Sequence, residues 1–398
     1  MSAMKRLFQL MSDKKASDIF LSVGSPINIK INGNAVPVNQ TVLNAEAVKT
    51  LLYEVLNEKQ IREYEDEMEL NTAFALEGVG AFRISAFRQK GSPAVVVRFI
   101  PGSVPAFDTL GLPDVLKEII MQKRGLILMV GATGSGKSTS LSAMLDLRNT
   151  QKSGHILTLE DPVEFIFTNK KSIVNQREVG TDTKSFETAL KNALRQAPDC
   201  ILIGEIRDKQ TMGMALAYAQ SGHLALATLH ANNSYHAMNR IISFYPLENR
   251  PTLLLDLSAA LQAIVSQRLV RTKNGSRRAA VEVLLNTRHI AELIEKGDIN
   301  EIKDAMEKSM SPGSQTFEQS LFIMFMDGSI TQEECMANAD SATNMLWLIN
   351  QATAGSISSA PGGSAPADEK KDEKKESVLS TTAGPGASFS DFKIDVTT

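Results

Sequence analysis

Hydrophobic and polar positions alternate along this chain with several distinct rhythms. Met4, Leu7, Phe8 and Met11 recur at the spacing of one helical face, so residues 1–15 predict a short amphipathic helix. From Ser17 to Val23 the period shortens to two, with Ile19, Leu21 and Val23 on one side, as in a half-buried strand. Asn32-Gly33 is a hairpin turn signal between apolar runs at 27–31 and 35–38. Residues 45–67 read as helix, and 82–87 and 94–99 as two further strands. Strands mixed with helices in this way predict a small α+β domain.

Pro101-Gly102-Ser103-Val104-Pro105 reads as a linker, and the rhythm changes after it. Short apolar runs at 126–130, 155–159, 200–203 and 224–229 alternate with helical stretches. That alternation predicts a parallel sheet buried on both faces. Residues 251–350 read as helical: Leu253, Leu254, Leu257, Leu261, Ile264 and Val265 make one apolar stripe, and Phe317, Leu321, Phe322 and Phe325 another. Residues 351–398 are rich in Ser, Gly, Ala, Pro and Thr around a charged block at 368–376, a composition that predicts a disordered tail. Its segment Phe389-Ser390-Asp391-Phe392-Lys393-Ile394-Asp395-Val396 is either a docking peptide or without specific use. The expected organisation is a domain over 1–100, a linker over 101–105, an α/β domain with a helical C-terminal part over 106–350, and the tail.

Composition narrows the function classes. At 398 residues, 43% hydrophobic and 22% charged, the chain suits two or three globular domains. A net charge of −3 gives no support to a nucleic-acid or anionic-membrane surface. Two distant cysteines, Cys200 and Cys335, exclude a disulfide framework and a four-thiolate zinc site, and suit a reducing cytosol. No apolar run approaches the roughly 20 residues that span a bilayer, and the N-terminal stretch lacks a signal-peptide core. The expectation is a chain inside the cell with no direct membrane insertion.

The strongest chemical signal is Gly131-Ala132-Thr133-Gly134-Ser135-Gly136-Lys137-Ser138, followed by Thr139. It follows the apolar run 126–130 and fits the phosphate-cradling pattern G-x-x-x-x-G-K-[ST]. Glycines there let successive N–H groups point at a polyphosphate, and the helix that begins there adds the positive end of its dipole. Lys137 reaches the β/γ-phosphates and Ser138 offers a hydroxyl to Mg²⁺. ATP and Mg²⁺ are the implied ligands. Hydrolysis further needs a carboxylate that orients water, a held metal and positive charge on the phosphoryl.

Ligands of such sheets sit at the carboxyl ends of strands. The run Cys200-Ile201-Leu202-Ile203 leads into Gly204-Glu205-Ile206-Arg207-Asp208, which makes Glu205 either the water-orienting acid or a solvated loop acid. Asp199 reads as an edge or capping residue. Glu160, Asp161 and Glu164 end another strand, where they could serve Mg²⁺ or form only an acidic turn. His230 closes the strand 224–229 and is either a sensor of the γ-phosphate or a satisfied structural histidine. Arg195 and Arg207 flank the Glu205 strand, while Arg83, Arg88 and Arg98 lie in the N-terminal domain. Cys200 reads as a small buried hydrophobe.

These segments, in this order, resemble the phosphate loop, aspartate box, Walker B segment and histidine box of the secretion-superfamily ATPases. The chain is most similar to the retraction ATPases of type IV pili, the PilT/PilU family, over about residues 4–350, which take in Phe82-Arg83-Ile84-Ser85-Ala86-Phe87 and Leu194-Arg195-Gln196-Ala197-Pro198-Asp199. Ala279-Ala280-Val281-Glu282-Val283-Leu284-Leu285-Asn286, Gln315-Thr316-Phe317-Glu318-Gln319-Ser320, Ala339-Asp340-Ser341-Ala342 and the tail resemble its accessory branch. Where the principal branch has Ala-Ile-Arg-Asn-Leu-Ile, this chain reads Arg288-His289-Ile290-Ala291-Glu292-Leu293-Ile294. The resemblance implies a homohexamer of PAS-like domains joined to RecA-like P-loop motor domains. It implies that Glu205 polarises water with Arg207 close by, that Ser138 and Glu164 hold Mg²⁺ with Glu160 in support, and that His230 reports on the phosphate. Arg83 and Arg98 become candidate fingers into a neighbouring subunit. Implied partners are a sibling retraction ATPase and an inner-membrane pilus platform protein, met in the cytoplasm at the inner face of that membrane. Two alternatives stay open: a pilus or secretion assembly ATPase, and a nucleotide-binding scaffold for a sibling ATPase.

Overall fold

A computed structural model describes residues 2–31, 33–76, 78–100, 104–308 and 312–357, with only the backbone of 353–357. Met1–Asn350 form one compact unit. Asn32 of the expected turn, residues 101–103 of the expected linker and the tail from 358 onward, including 389–396, lie outside the described residues.

The first hundred residues give α1 (Ala3–Lys14), β1 (Asp18–Ser22), β2 (Pro26–Ile31), β3 (Asn34–Val42), α2 (Ala45–Tyr53), α3 (Glu58–Glu67), β4 (Glu69–Leu76), β5 (Gly80–Gln89) and β6 (Ser92–Ile100). The strands form one antiparallel sheet in the order β3-β2-β1-β6-β5-β4. Met4, Phe8 and Met11 bury the stripe of α1 against Ile19, Leu21, Phe82 and Ile84. The Phe8 and Phe82 rings stack at 4.0 Å. The stretch 45–67 is two helices rather than one. Asn57 and Gln60 exchange side-chain-to-backbone bonds in a capping box, which restarts the helix and lets Val48, Leu52 and Tyr64 all reach the core.

The second sheet uses β7 (Gly125–Val130), β8 (Gly154–Glu160), β9 (Ser172–Glu178), β10 (Cys200–Ile203), β11 (Leu224–Leu229), β12 (Leu261–Arg271) and β13 (Arg277–Leu285), in the order β13-β12-β7-β11-β10-β8-β9. All neighbours are parallel except the β12–β13 hairpin. The helices between and after them are α4 (Val115–Ile120), α5 (Lys137–Gln151), α6 (Phe186–Ala193), α7 (Lys209–Gln220), α8 (Ser234–Ser243), α9 (Arg250–Ala260), α10 (Arg288–Lys296), α11 (Glu301–Glu307), α12 (Phe317–Met326), α13 (Gln332–Asn338) and α14 (Ala342–Ile357). Leu126, Leu128 and Val130 of β7 pack with α7, α9 and α10 on one face. Ile127 and Met129 pack with α4 and α5 on the other. The expected double burial is therefore realised.

The expectation of helix throughout 251–350 is wrong over 261–285, where the hairpin of β12 and β13 lies between α9 and α10. Helix α9 stops at Ala260, and Leu261, Ile264 and Val265 belong to β12 instead. Their spacing suits a helix, but as a strand they pair with β7 on one side and β13 on the other. That pairing closes the exposed edge of β7, which a helix would leave open. The second stripe is helical, with Phe317 and Leu321 of α12 buried. Both cysteines are free and buried, and burial pushes the Cys200 thiol up to about 12 and Cys335 to about 11. Among the described residues no helix is long and apolar enough to cross a membrane.

Phe8→Ala empties a fully buried ring site and is expected to destabilise the chain by about 3–5 kcal/mol. Ile173→Ala, at an exposed position, is expected to change stability by less than about 0.5 kcal/mol. Urea unfolding of the two variants checks the contrast, and equal shifts would contradict it.

Candidate active site

Strand β7 delivers the chain to the loop 131–136, and α5 begins at Lys137. Gly136 caps this helix at φ +88°, a left-handed conformation, and a Cβ there would lie 2.7 Å from Nε2 of Gln267. The positive φ favours glycine, and any Cβ would also push the Gln267 amide out of its place. Ala132, Thr133 and Gly134 are exposed, whereas Ser138 and Thr139 are half-buried. The buried Oγ of Ser135 has no hydrogen-bond partner. Lys137 is 8% exposed. Its Nζ donates to the carbonyls of Gly131 at 2.7 Å and Ala132 at 2.9 Å. Burial pulls its pKa below the ordinary lysine value, and the charges of Glu205 and Glu164 oppose that pull.

The carboxyl ends of three more strands converge on this loop. Gly204, just past β10, is packed so closely that a Cβ would lie 3.0 Å from the Leu159 carbonyl and 3.3 Å from Cα of Glu160. That close approach brings the ends of β8 and β10 side by side. Glu205 is held from two directions: Arg207 Nε donates to its Oε2 at 2.7 Å, and His230 Nε2 lies 3.5 Å from its Oε1. Arg207 also reaches Asp161 at 3.7 Å. Burial lowers the His230 pKa first, and Lys137, Arg240 and Arg207 add to that against the attraction of Glu205. The imidazole is therefore neutral near pH 7.

Glu160 is half-buried, and its Oε1 accepts from Thr158 Oγ1 at 2.6 Å and from Gln176 Nε2 at 3.4 Å. Burial pushes its pKa up. Glu164 is exposed, and its charge is felt by both Lys137 and Glu160. Asp199 accepts from the His155 amide at 2.8 Å, a strand-end cap. Arg83 and Arg98 sit on the other sheet as opposed partners of β5 and β6. Arg98 Nε bonds Asp18 Oδ1 at 2.9 Å. Within the chain these two arginines are thus placed with each other rather than among the strand ends.

One residue against the loop has no counterpart in the sequence reading. Gln267 of β12 donates from Nε2 to the Ser135 carbonyl at 2.8 Å, and its Oε1 accepts from Ser140 Oγ at 2.7 Å. A polar pair, Ser266-Gln267, inside an apolar run was the available signal, hidden by the helical reading of that run. A cleft of about 800 Å³ opens beside it, lined by Leu110, Gly136, Thr139, Leu269, Asn274 and Arg277 among others. It is large enough for the rest of a nucleotide whose phosphates lie on the loop. The orphaned Ser135 hydroxyl, the glycine cradle and the carboxylates around Lys137 fit a metal-bound polyphosphate.

The family described as Type II/IV secretion system protein matches residues 2–336. The chain is 47% identical over 346 residues to the type IV pilus ATPase PilU of Pseudomonas aeruginosa, covering 87% of this chain and 91% of that protein. It is 38% identical over 338 residues to the type IV pilus retraction ATPase PilT of the same organism, covering 85% of this chain and 98% of the relative. A crystal structure of the pilus retraction motor PilT with bound ADP matches with a TM-score of 0.82 at 38% identity, over 87% of this chain and 99% of that one. The ATPase DotB of Legionella pneumophila matches at 0.72 and 26% identity, over 84% of this chain and 95% of its own.

The shift at His230 is directly measurable. Imidazole NMR, with the signal assigned by His230→Asn, is expected to give a midpoint below the ordinary histidine value of 6.5. Burial and the nearby cations penalise the imidazolium, so protonation needs a lower pH; a midpoint at or above 6.5 would contradict this geometry. With an α/β sheet carrying a phosphate loop, and with relatives matched over most of their length, the chain belongs to the Type II/IV secretion system protein family.

Proposed function

We propose that this chain is an ATPase motor of type IV pilus retraction, working as the accessory member beside a sibling retraction ATPase. The observation that carries the reading is Glu205, fixed by Arg207 and His230 within the electrostatic reach of Lys137, in a chain 47% identical to a type IV pilus ATPase. Lys137 exchanges its two carbonyl contacts for the β/γ-phosphates. The amides of residues 131–139 cradle the phosphate chain, and the cleft beside Gln267 takes the remainder. Ser138 and Glu164 would hold Mg²⁺, which would supply positive charge to the phosphates. Glu205 polarises the attacking water, and Arg207 keeps the carboxylate turned toward it. Glu160, anchored by Thr158, supports Glu164 from behind. His230 hydrogen-bonds the γ-phosphate and passes its presence to the loop that follows.

Positive charge on the transferring phosphoryl comes from Arg83 and Arg98 of a neighbouring protomer in a homohexamer, so both arginines complete a site they do not share within their own chain. The division into a PAS-like domain over 1–100, a linker over 101–105 and a RecA-like motor domain over 106–350 belongs to this proposal. ATP binding would clamp neighbouring domains together and hydrolysis release them. The ring works in the cytoplasm against an inner-membrane platform protein, withdrawing pilin subunits.

Two variants separate binding from chemistry. Lys137→Ala is expected to abolish ATP turnover with loss of nucleotide affinity. Glu205→Gln is expected to keep affinity and lower kcat on the order of a hundredfold or more. In piliated cells Glu205→Gln should impair twitching while surface pili persist or accumulate. Loss of surface pili would favour an assembly ATPase, and wild-type twitching with an inactive chain would favour a scaffold.

A further inference from the structure

Strand β12 carries Ser266, Gln267 and Arg268 in succession, and strand alternation sends neighbours to opposite faces. Gln267 goes to the phosphate loop. Arg268 turns the other way, and its guanidinium donates to the carbonyls of Asn232, at 3.2 Å, and of Asn338. It forms an ion pair with Asp340 and lies 3.9 Å from the centroid of the Phe317 ring on α12. Asp340 in turn accepts from Asn233 Nδ2 at 2.7 Å. Asn233 caps α8, its Oδ1 accepting from the His236 amide at 2.9 Å. On the same face, Ser266 Oγ donates to buried Glu282 at 3.0 Å, and the Ser234 amide donates to that same oxygen at 2.7 Å. The short stretch 232–234, which follows His230 after one intervening residue, is thus fastened to β12, to β13 and to the segment between α13 and α14.

We propose that Arg268, acting with Asp340, is a positioning residue for His230. By gripping Asn232 directly and Asn233 through Asp340, the pair sets where the imidazole stands against Glu205, and it makes the packing of α12 and α13 part of the hydrolytic geometry. The proposal rests on the ATPase reading. It follows from the chemistry of the grip: a guanidinium bonds three acceptors and stacks on a ring at once, which a lysine ammonium does not. The phosphate loop, braced independently by Gln267, is untouched by the loss of Arg268. The two neighbours on one strand therefore divide the work, with Gln267 serving binding and Arg268 serving turnover.

The test compares the full-length wild type with Arg268→Lys, Asp340→Asn and Gln267→Ala. The measurements are ATP turnover, affinity for a fluorescent ATP analogue, and amide hydrogen exchange over residues 230–238. Arg268→Lys and Asp340→Asn are expected to lower kcat on the order of tenfold, with affinity within about twofold and faster exchange at 233–237. Gln267→Ala is expected to weaken affinity first. Turnover in Arg268→Lys equal to an active wild type overturns the positioning role, and so does a joint fall of kcat and affinity, which marks a merely structural residue. Unchanged exchange overturns it without reference to turnover. A wild type that hydrolyses no ATP overturns the ATPase reading itself, and the positioning role with it.

Discussion

An ammonium group kept almost entirely out of water sets the layout around the phosphate loop. Burying a charge costs several kcal/mol unless partners replace its hydration. For Lys137 those partners are two backbone carbonyls of the loop it closes. The loop must therefore curl back over its own lysine, which calls for the left-handed glycine at 136 and for glycine at 131, where a Cβ would lie 2.6 Å from the Gln267 carbonyl. The carboxylates of Glu205 and Glu164 supply the remaining compensation at longer range. A triphosphate arriving at this loop meets a cation already oriented and only weakly hydrated, so little reorganisation is required on binding.

The same constraint fixes the strand ends. Glu205 can face Lys137 only if β10 runs beside β8 and β11, and Gly204 is the point where backbone must pass backbone without a side chain between. His230 and Arg207 then approach the same carboxylate from opposite oxygens. The acid is held rather than free, and its orientation is shared among three strands.

How far the sequence revealed this depended on whether the deciding contacts were local. The strands β7, β8, β10 and β11 were legible because both faces are buried and each is a continuous apolar run. Lys137 was legible from the glycine pattern that leads to it, and Glu205 and His230 because each follows such a strand's carboxyl end. Strand β12 was not, because leucines at helical spacing run from α9 straight across Ala260, and only the open edge of β7 decides against the helix. With β12 misread, Gln267 and Arg268 had no reason to face the loop and the His230 segment. Strand β4 and strand β9 were missed for a simpler reason: each lies near a sheet edge with few buried positions. The row Asp18, Arg98 and Arg83 across β1, β6 and β5 likewise appears only once the register is known, and it places an acid beside one of two arginines otherwise opposed like charge to like charge.

The two thiols have a practical consequence. Cys200 and Cys335 are the whole cysteine complement, both are buried, and both ionise only far above neutrality. Thiolate is the reactive species, so the native chain is nearly silent toward maleimides under gentle conditions. A cysteine introduced on the surface would be labelled selectively without first stripping the background, which opens single-site spectroscopy of the intact chain.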